Sequence, residues 1–129
     1  GVQTMLFVRQ AMYRRMPRLS PRHLLLVGHS NGGDMAMLFA REHSTLVEKI
    51  ISLDNRRVPL PRQRRPQVLT LRSSDQVADP GVLPTPAEQV KLGTLVVALP
   101  ATIHNDMWDG ATAVQKQEIN KWVSVFLKR

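Results

Sequence analysis

Cysteine is absent from this 129-residue chain, which excludes a disulfide framework and any thiolate metal site. The same absence fits a reducing, cytoplasmic compartment. No apolar run approaches the ~20 residues needed to cross a bilayer as a helix. Aromatic residues are few, and Phe7, Tyr13, Phe39, Trp108, Trp122 and Phe126 are too scattered to form a base-stacking platform of the RNA-binding kind. Acids are missing from the start of the chain: the first is Asp34, and Arg9, Arg14, Arg15, Arg18 and Arg22 precede it. An acid-free, arginine-bearing opening has the composition of a transit peptide. A strand follows it so closely that an ordinary helix leading into the sheet is the better expectation. No His, Asp or Glu cluster has metal-ligand spacing. Gly28 to Gly33 lacks both the Lys-Ser/Thr ending of a phosphate-binding loop and the G-x-G start of a dinucleotide fingerprint. Neither a metal nor a cofactor is expected.

What the chain does have is basic charge, with 18 Lys and Arg against 10 Asp and Glu, a formal balance of +8. Charge of that sign favours acidic partners and says nothing of fold. The length predicts one domain, residues 1–129, large enough for a real core. No internal repeat or low-complexity tail interrupts it.

Met5, Val8, Met12 and Met16, broadened by Leu6 and Phe7, recur at helical spacing over residues 4 to 16, and Pro17 and Pro21 end that helix. Residues 23 to 28 form a strand, apolar without alternation, as a strand buried on both faces would be. A helix to about His43 precedes a second strand, Val47 to Asp54. The segment from Asn55 to Gln67 is rich in arginine and holds Pro59, Pro61 and Pro66, poor material for a crossover helix. A third strand spans Val68 to Arg72, a short helix Thr85 to Lys91, a fourth strand Thr94 to Leu99, and a last helix about 112 to 127 buries Ile119, Trp122, Val123 and Phe126. Strands alternating with helices predict an α/β fold with about four parallel strands and helices on both faces.

The first strand ends in Gly28-His29-Ser30-Asn31-Gly32, a G-x-S-x-G run with a helix directly after it. Strand, tight turn and helix are the context of a nucleophile elbow, which lifts the serine hydroxyl above the sheet. Side chains at Gly28 and Gly32 are expected to crowd the crossing of strand and helix. Loops leaving the carboxyl ends of neighbouring parallel strands converge on one crevice. They place Ser30 after the first strand, Asp75 and Asp79 after the third, and His104 after the fourth. A hydroxyl nucleophile, an imidazole to take its proton and a carboxylate to orient the imidazole are the parts of acyl-transfer chemistry. Of the remaining histidines, His29 is expected to pack under the elbow, and His23 and His43 to lie at element ends.

In its elbow, in Leu69-Thr70-Leu71-Arg72-Ser73-Ser74-Asp75 and in Leu99-Pro100-Ala101-Thr102-Ile103-His104, the chain resembles the α/β-hydrolase family. The resemblance covers essentially all of the chain, and the three motifs stand in the family's order. It implies hydrolysis of carboxylic esters through an acyl-enzyme on Ser30, with His104 as base, Asp75 as acid and the N–H of Asn31 in the oxyanion hole. Asp79, which opens an Asp-Pro-Gly-Val-Leu-Pro run, is the alternative acid, and Asp54, at a variant position of the family, is a third. Only the last four of the family's eight strands are matched. The strand–helix loop that usually supplies a second oxyanion donor is therefore outside the resemblance, a loss on the order of a hundredfold in rate. The first strand would also present an apolar edge through which copies of the chain self-associate. Arg56, Arg57, Arg62, Arg64 and Arg65 stand where the family often inserts a cap, as a solvated run or as an electropositive rim. The alternatives to a serine hydrolase with a small ester substrate are a non-catalytic module of the same fold and a basic binder of nucleic acid or anionic surfaces.

Overall fold

Four short apolar segments lie side by side in chain order as one parallel sheet: β1 (Leu24–His29), β2 (Val47–Leu53), β3 (Gln67–Arg72) and β4 (Leu95–Ala98). This computed structural model describes residues 1–21 and 23–129, so Arg22 of the basic opening lies outside the described residues. In register, Leu26 stands beside Ile50 and Ile50 beside Val68, while Val27, Ile51, Leu69 and Leu95 form the adjacent row. Because side chains alternate along a strand, these two rows face opposite sides of the sheet. Helices α1 (Val2–Arg15) and α2 (Asn31–Glu42) serve one side, and α4 (Ala113–Leu127) the other. The expected α/β architecture is the one observed.

The first core layer joins Met37, Phe39 and Ala40 of α2 to Ile50 and Val68, with Val2, Leu60 and Val82 closing its margins. The second sets Phe126 of α4, Leu99 and Met107 on Ile51, Leu69 and Leu71. Only Phe126 of the four expected core residues of α4 is fully buried; Ile119, Trp122 and Val123 pack partly exposed around it. Lys49 locks this helix down. Its ammonium, carried on the middle of β2, donates to the backbone oxygens of Phe126, Leu127 and Arg129 at 3.3, 3.2 and 3.0 Å. A cation at the carbonyl end of a helix meets both the unpaired acceptors and the negative end of the dipole.

The β2–β3 connection has no helix. Residues 54–66 cross irregularly, and Val58 and Leu60 fill the α2 layer in place of a helical stripe. Asp34, in the first turn of α2, holds that path by accepting from the N–H groups of Arg57 and Val58 at 2.9 and 2.8 Å. The short helix α3 (Pro86–Leu92) follows, its ends set by a Thr85–Glu88 capping box and by Gly93 in the left-handed region.

One expectation is corrected at β1, which is not buried on both faces. Leu24 and Leu26 pack into the α2 layer, but Leu25 and Val27 are 39% and 60% exposed. The reason is position: β1 is an edge of the sheet, and α4 lies over β3 rather than reaching β1. An apolar edge strand with free N–H and C=O groups recruits other strands. The chain should therefore self-associate, more strongly as salt screens its positive charge. Light scattering across a salt series should show growing mass, and Val27→Lys should suppress it. A monomer at every salt concentration would refute this.

Candidate active site

Among the described residues, two other than glycine have positive φ, Ser30 (φ 55°) and Asp54 (φ 63°), and each stands one position beyond the carboxyl end of a strand. Their N–H groups continue the sheet pairing, Ser30 to Leu53 O and Asp54 to Leu71 O, both at 2.9 Å. The chain then turns sharply, into α2 after Ser30 and into the crossover after Asp54. Strained backbone of this kind persists only where its surroundings fix it, and it concentrates at functional sites.

At the elbow the crowding falls on Gly28 and Gly33 rather than on Gly28 and Gly32. A Cβ at Gly28 would sit 2.3 Å from the carbonyl oxygen of Gly32, and one at Gly33 would sit 2.9 Å from Ser52 Oγ. At Gly32 it would meet nothing within 4 Å. The reason is helical geometry: Gly33 lies on the face of α2 that meets the sheet, and Gly32 faces outward.

His104 begins a single 3-10 turn (His104–Asp106) after β4. It is tied at three points. Its N–H donates to Asp75 Oδ1 at 2.7 Å, its carbonyl accepts from His29 Nε2 at 3.0 Å, and its ring Nδ1 lies 2.6 Å from Asp54 Oδ2. The carboxylate paired with the imidazole is thus that of Asp54. Asp75 holds the backbone of His104 instead, and Asp79 forms an exposed pair with Arg56 at 3.4 Å. His29 is exposed rather than packed under the elbow, its ring centroid 4.6 Å from that of His104. His23 pairs with Glu48 at the surface, and His43 closes α2 against Phe39.

Asp54 has its side chain fully buried. Burial raises its carboxyl, but hydrogen bonds from Ser73 and from the His104 ring, with the charge of Arg72, outweigh this and hold it below the ordinary carboxylate value. Arg72 is buried beside it, Nη2 at 3.5 Å from Asp54 Oδ1, and its Nη1 donates to Thr70 Oγ1 at 3.0 Å. Burial lowers the Arg72 guanidinium, opposed by the negative charges of Asp54 and Asp34. Neither Arg72 nor Asp34 was singled out from sequence. The signal was present in both: a lone charge at the end of an apolar strand, and an acid in the first turn of the helix after the elbow.

Ser30, Asn31 and His104 line one cleft of about 320 Å³, together with Asp34, Arg56, Arg57 and Gln76. As first residue of α2, Asn31 has an N–H without an intrahelical acceptor. With Nδ1 of His104 committed to Asp54, Nε2 is the ring nitrogen left for a reacting group. Among the described residues no cluster of three or more His, Asp or Glu is placed to hold a metal ion, and no helix is long and apolar enough to cross a membrane. No family model matches the chain, and no curated protein is significantly similar to it.

Proposed function

We propose that the chain is a serine hydrolase acting on carboxylic esters, with Ser30 as nucleophile, His104 as general base and Asp54 as the orienting acid. The observation that carries this reading is the 2.6 Å Asp54–His104 contact in a cleft shared with a serine on a strained strand–helix turn. The order Ser, Asp, His along the chain also agrees with the α/β-hydrolase resemblance of its motifs. Asp54 takes the place expected of Asp75 or Asp79 because it alone of the three reaches the imidazole.

In the first half-reaction Ser30 Oγ bonds to the ester carbonyl carbon while His104 Nε2 takes the hydroxyl proton. Asp54, ionised, fixes the tautomer and stabilises the imidazolium. The oxyanion forms against the Asn31 N–H at the positive end of α2. Nε2 then gives the proton to the departing alcohol. Water repeats the sequence on the acyl-enzyme, releasing the acid and restoring Ser30. No step calls for a cofactor, and the small substrate and cytoplasmic setting belong to the same proposal.

A fluorophosphonate probe bonds covalently to an activated serine and reports it without knowledge of the substrate. It should label Ser30, and Ser30→Ala should abolish labelling. Labelling at another residue, unchanged in Ser30→Ala, would remove Ser30 from the reading.

A further inference from the structure

The arginines that cluster in sequence between β2 and β3 separate in space. Arg56 pairs with Asp79, and Arg62 binds Glu88 at 3.3 Å and the carbonyls of Leu60 and Gly81. Arg64 and Arg65 instead turn to a different cleft of about 310 Å³, lined also by Gln67, Lys91, Gly93 and Arg129. This cleft lies at the amino end of β3, opposite the strand ends that carry Ser30, Asp54 and His104. Six residues of strand separate the two ends by about 20 Å.

The composition of the cleft is one-sided. Four of its lining residues have cationic side chains and none has an acidic one. Between Asp54 and Asp75 the sequence has no acid, and between Asp79 and Asp106 it has only Glu88, which is engaged by Arg62 and the Thr85 N–H. Arg129 is fixed in place, its Nη1 donating to Gly93 O at 3.1 Å and its backbone oxygen held by Lys49. Gln67 also lines the cleft, but its Oε1 is shielded from solvent and has no hydrogen-bond partner. Cationic side chains brought together without an acidic side chain repel, and an anion relieves that repulsion.

We infer that this cleft binds a phosphate group through Arg64, Arg65 and Lys91. The volume suits a compact anion of one or two phosphates. The group is carried by a free phosphorylated molecule or by a lipid headgroup, and the two sources are separable. The site is independent of the proposed esterase chemistry.

Isothermal titration with inorganic pyrophosphate at low ionic strength tests the first source, and co-sedimentation with phosphatidylglycerol vesicles against phosphatidylcholine vesicles tests the second. Arg64 and Arg65 are exposed, so R64A/R65A should keep the circular dichroism and melting temperature of the parent. Losing two charge-assisted contacts should weaken binding by about tenfold or more. R14A/R15A removes the same charge from the last turn of α1 and should leave binding unchanged. Saturable pyrophosphate binding that follows this pattern supports the site with a free anion as its ligand. The same pattern with phosphatidylglycerol vesicles and not with pyrophosphate supports it with a headgroup. Binding to neither probe, or equal weakening by the two double variants, overturns the inference.

Discussion

Asp54→Asn should slow the reaction of Ser30 by about four orders of magnitude, the scale on which a triad loses its aspartate. The expected cause is the tautomer rather than the fold. An asparagine at this position retains an oxygen for the Ser73 N–H, which now donates to Asp54 Oδ1 at 3.0 Å. Its amide N–H₂, however, would face Nδ1 of His104, forcing the proton onto Nε2, the nitrogen that must be free to accept one from Ser30. Asp75→Asn should cost tenfold or less, because its contact is with the backbone N–H of His104 and an amide oxygen accepts that bond equally well. Asp79→Asn touches only the exposed pair with Arg56 and should change little. The rate of fluorophosphonate labelling measures all three, with circular dichroism to confirm that each variant is folded. A deep loss in Asp75→Asn with Asp54→Asn near the parent rate would transfer the acid role to Asp75.

Asp54 also couples the site to stability. Its carboxyl is held below its ordinary value in the folded chain. The contribution is therefore fully present above the unfolded carboxylate range and is lost as the pH falls through the lower folded value. The hydrogen bonds from Ser73, then the bond with the His104 ring and the charge of Arg72, give the coupling its direction. A buried guanidinium left without a carboxylate is costly, so the same pair that orients His104 also secures the carboxyl ends of β2 and β3.

The strands, their alternation with helices and the strand–turn–helix at Ser30 were legible because each rests on a local pattern: apolar runs of strand length, helical spacing between them, and a glycine-flanked serine at a strand end. The carboxylate that meets the His104 ring was not, because Asp54, Asp75 and Asp79 all stand at or beyond carboxyl ends of strands, where any of them can point into the crevice. What decides among them is the loop after β4. Asp75 captures the His104 N–H, and that bond fixes the backbone so that the ring meets Asp54. Such a choice depends on contacts 29 and 50 residues apart in the chain, beyond any motif. The exposure of Leu25 and Val27 was hidden for a similar reason. Their apolar run reads the same in a central strand as in an edge strand, and only the placement of α4 over β3 uncovers them.

The elbow glycines give the sharpest contrast. Gly28→Ala should destabilise the chain by more than about 3 kcal/mol, above the usual range for an overpacked core, because the collision is with backbone. The added Cβ would lie 2.3 Å from the carbonyl oxygen of Gly32, 2.4 Å from its carbon and 2.6 Å from the nitrogen of Gly33. None of these atoms has a rotamer through which to escape, so relief requires α2 to move away from β1. That movement would pull Met37, Phe39 and Ala40 from Ile50 and Val68, the centre of the first core layer. Domains are stable by only ~5–15 kcal/mol, so a loss of this size leaves a substantial unfolded population. Gly32→Ala should behave oppositely. Its Cβ meets nothing within 4 Å, its φ is not positive, and alanine is the better residue in a helix by up to about 1 kcal/mol. Urea unfolding of the two variants side by side provides the measurement: the midpoint of Gly28→Ala should fall steeply and that of Gly32→Ala should hold or rise. Equal losses in both would mean that the turn demands glycine for its backbone conformation at each position, and that close approach of α2 to β1 is not what Gly28 secures.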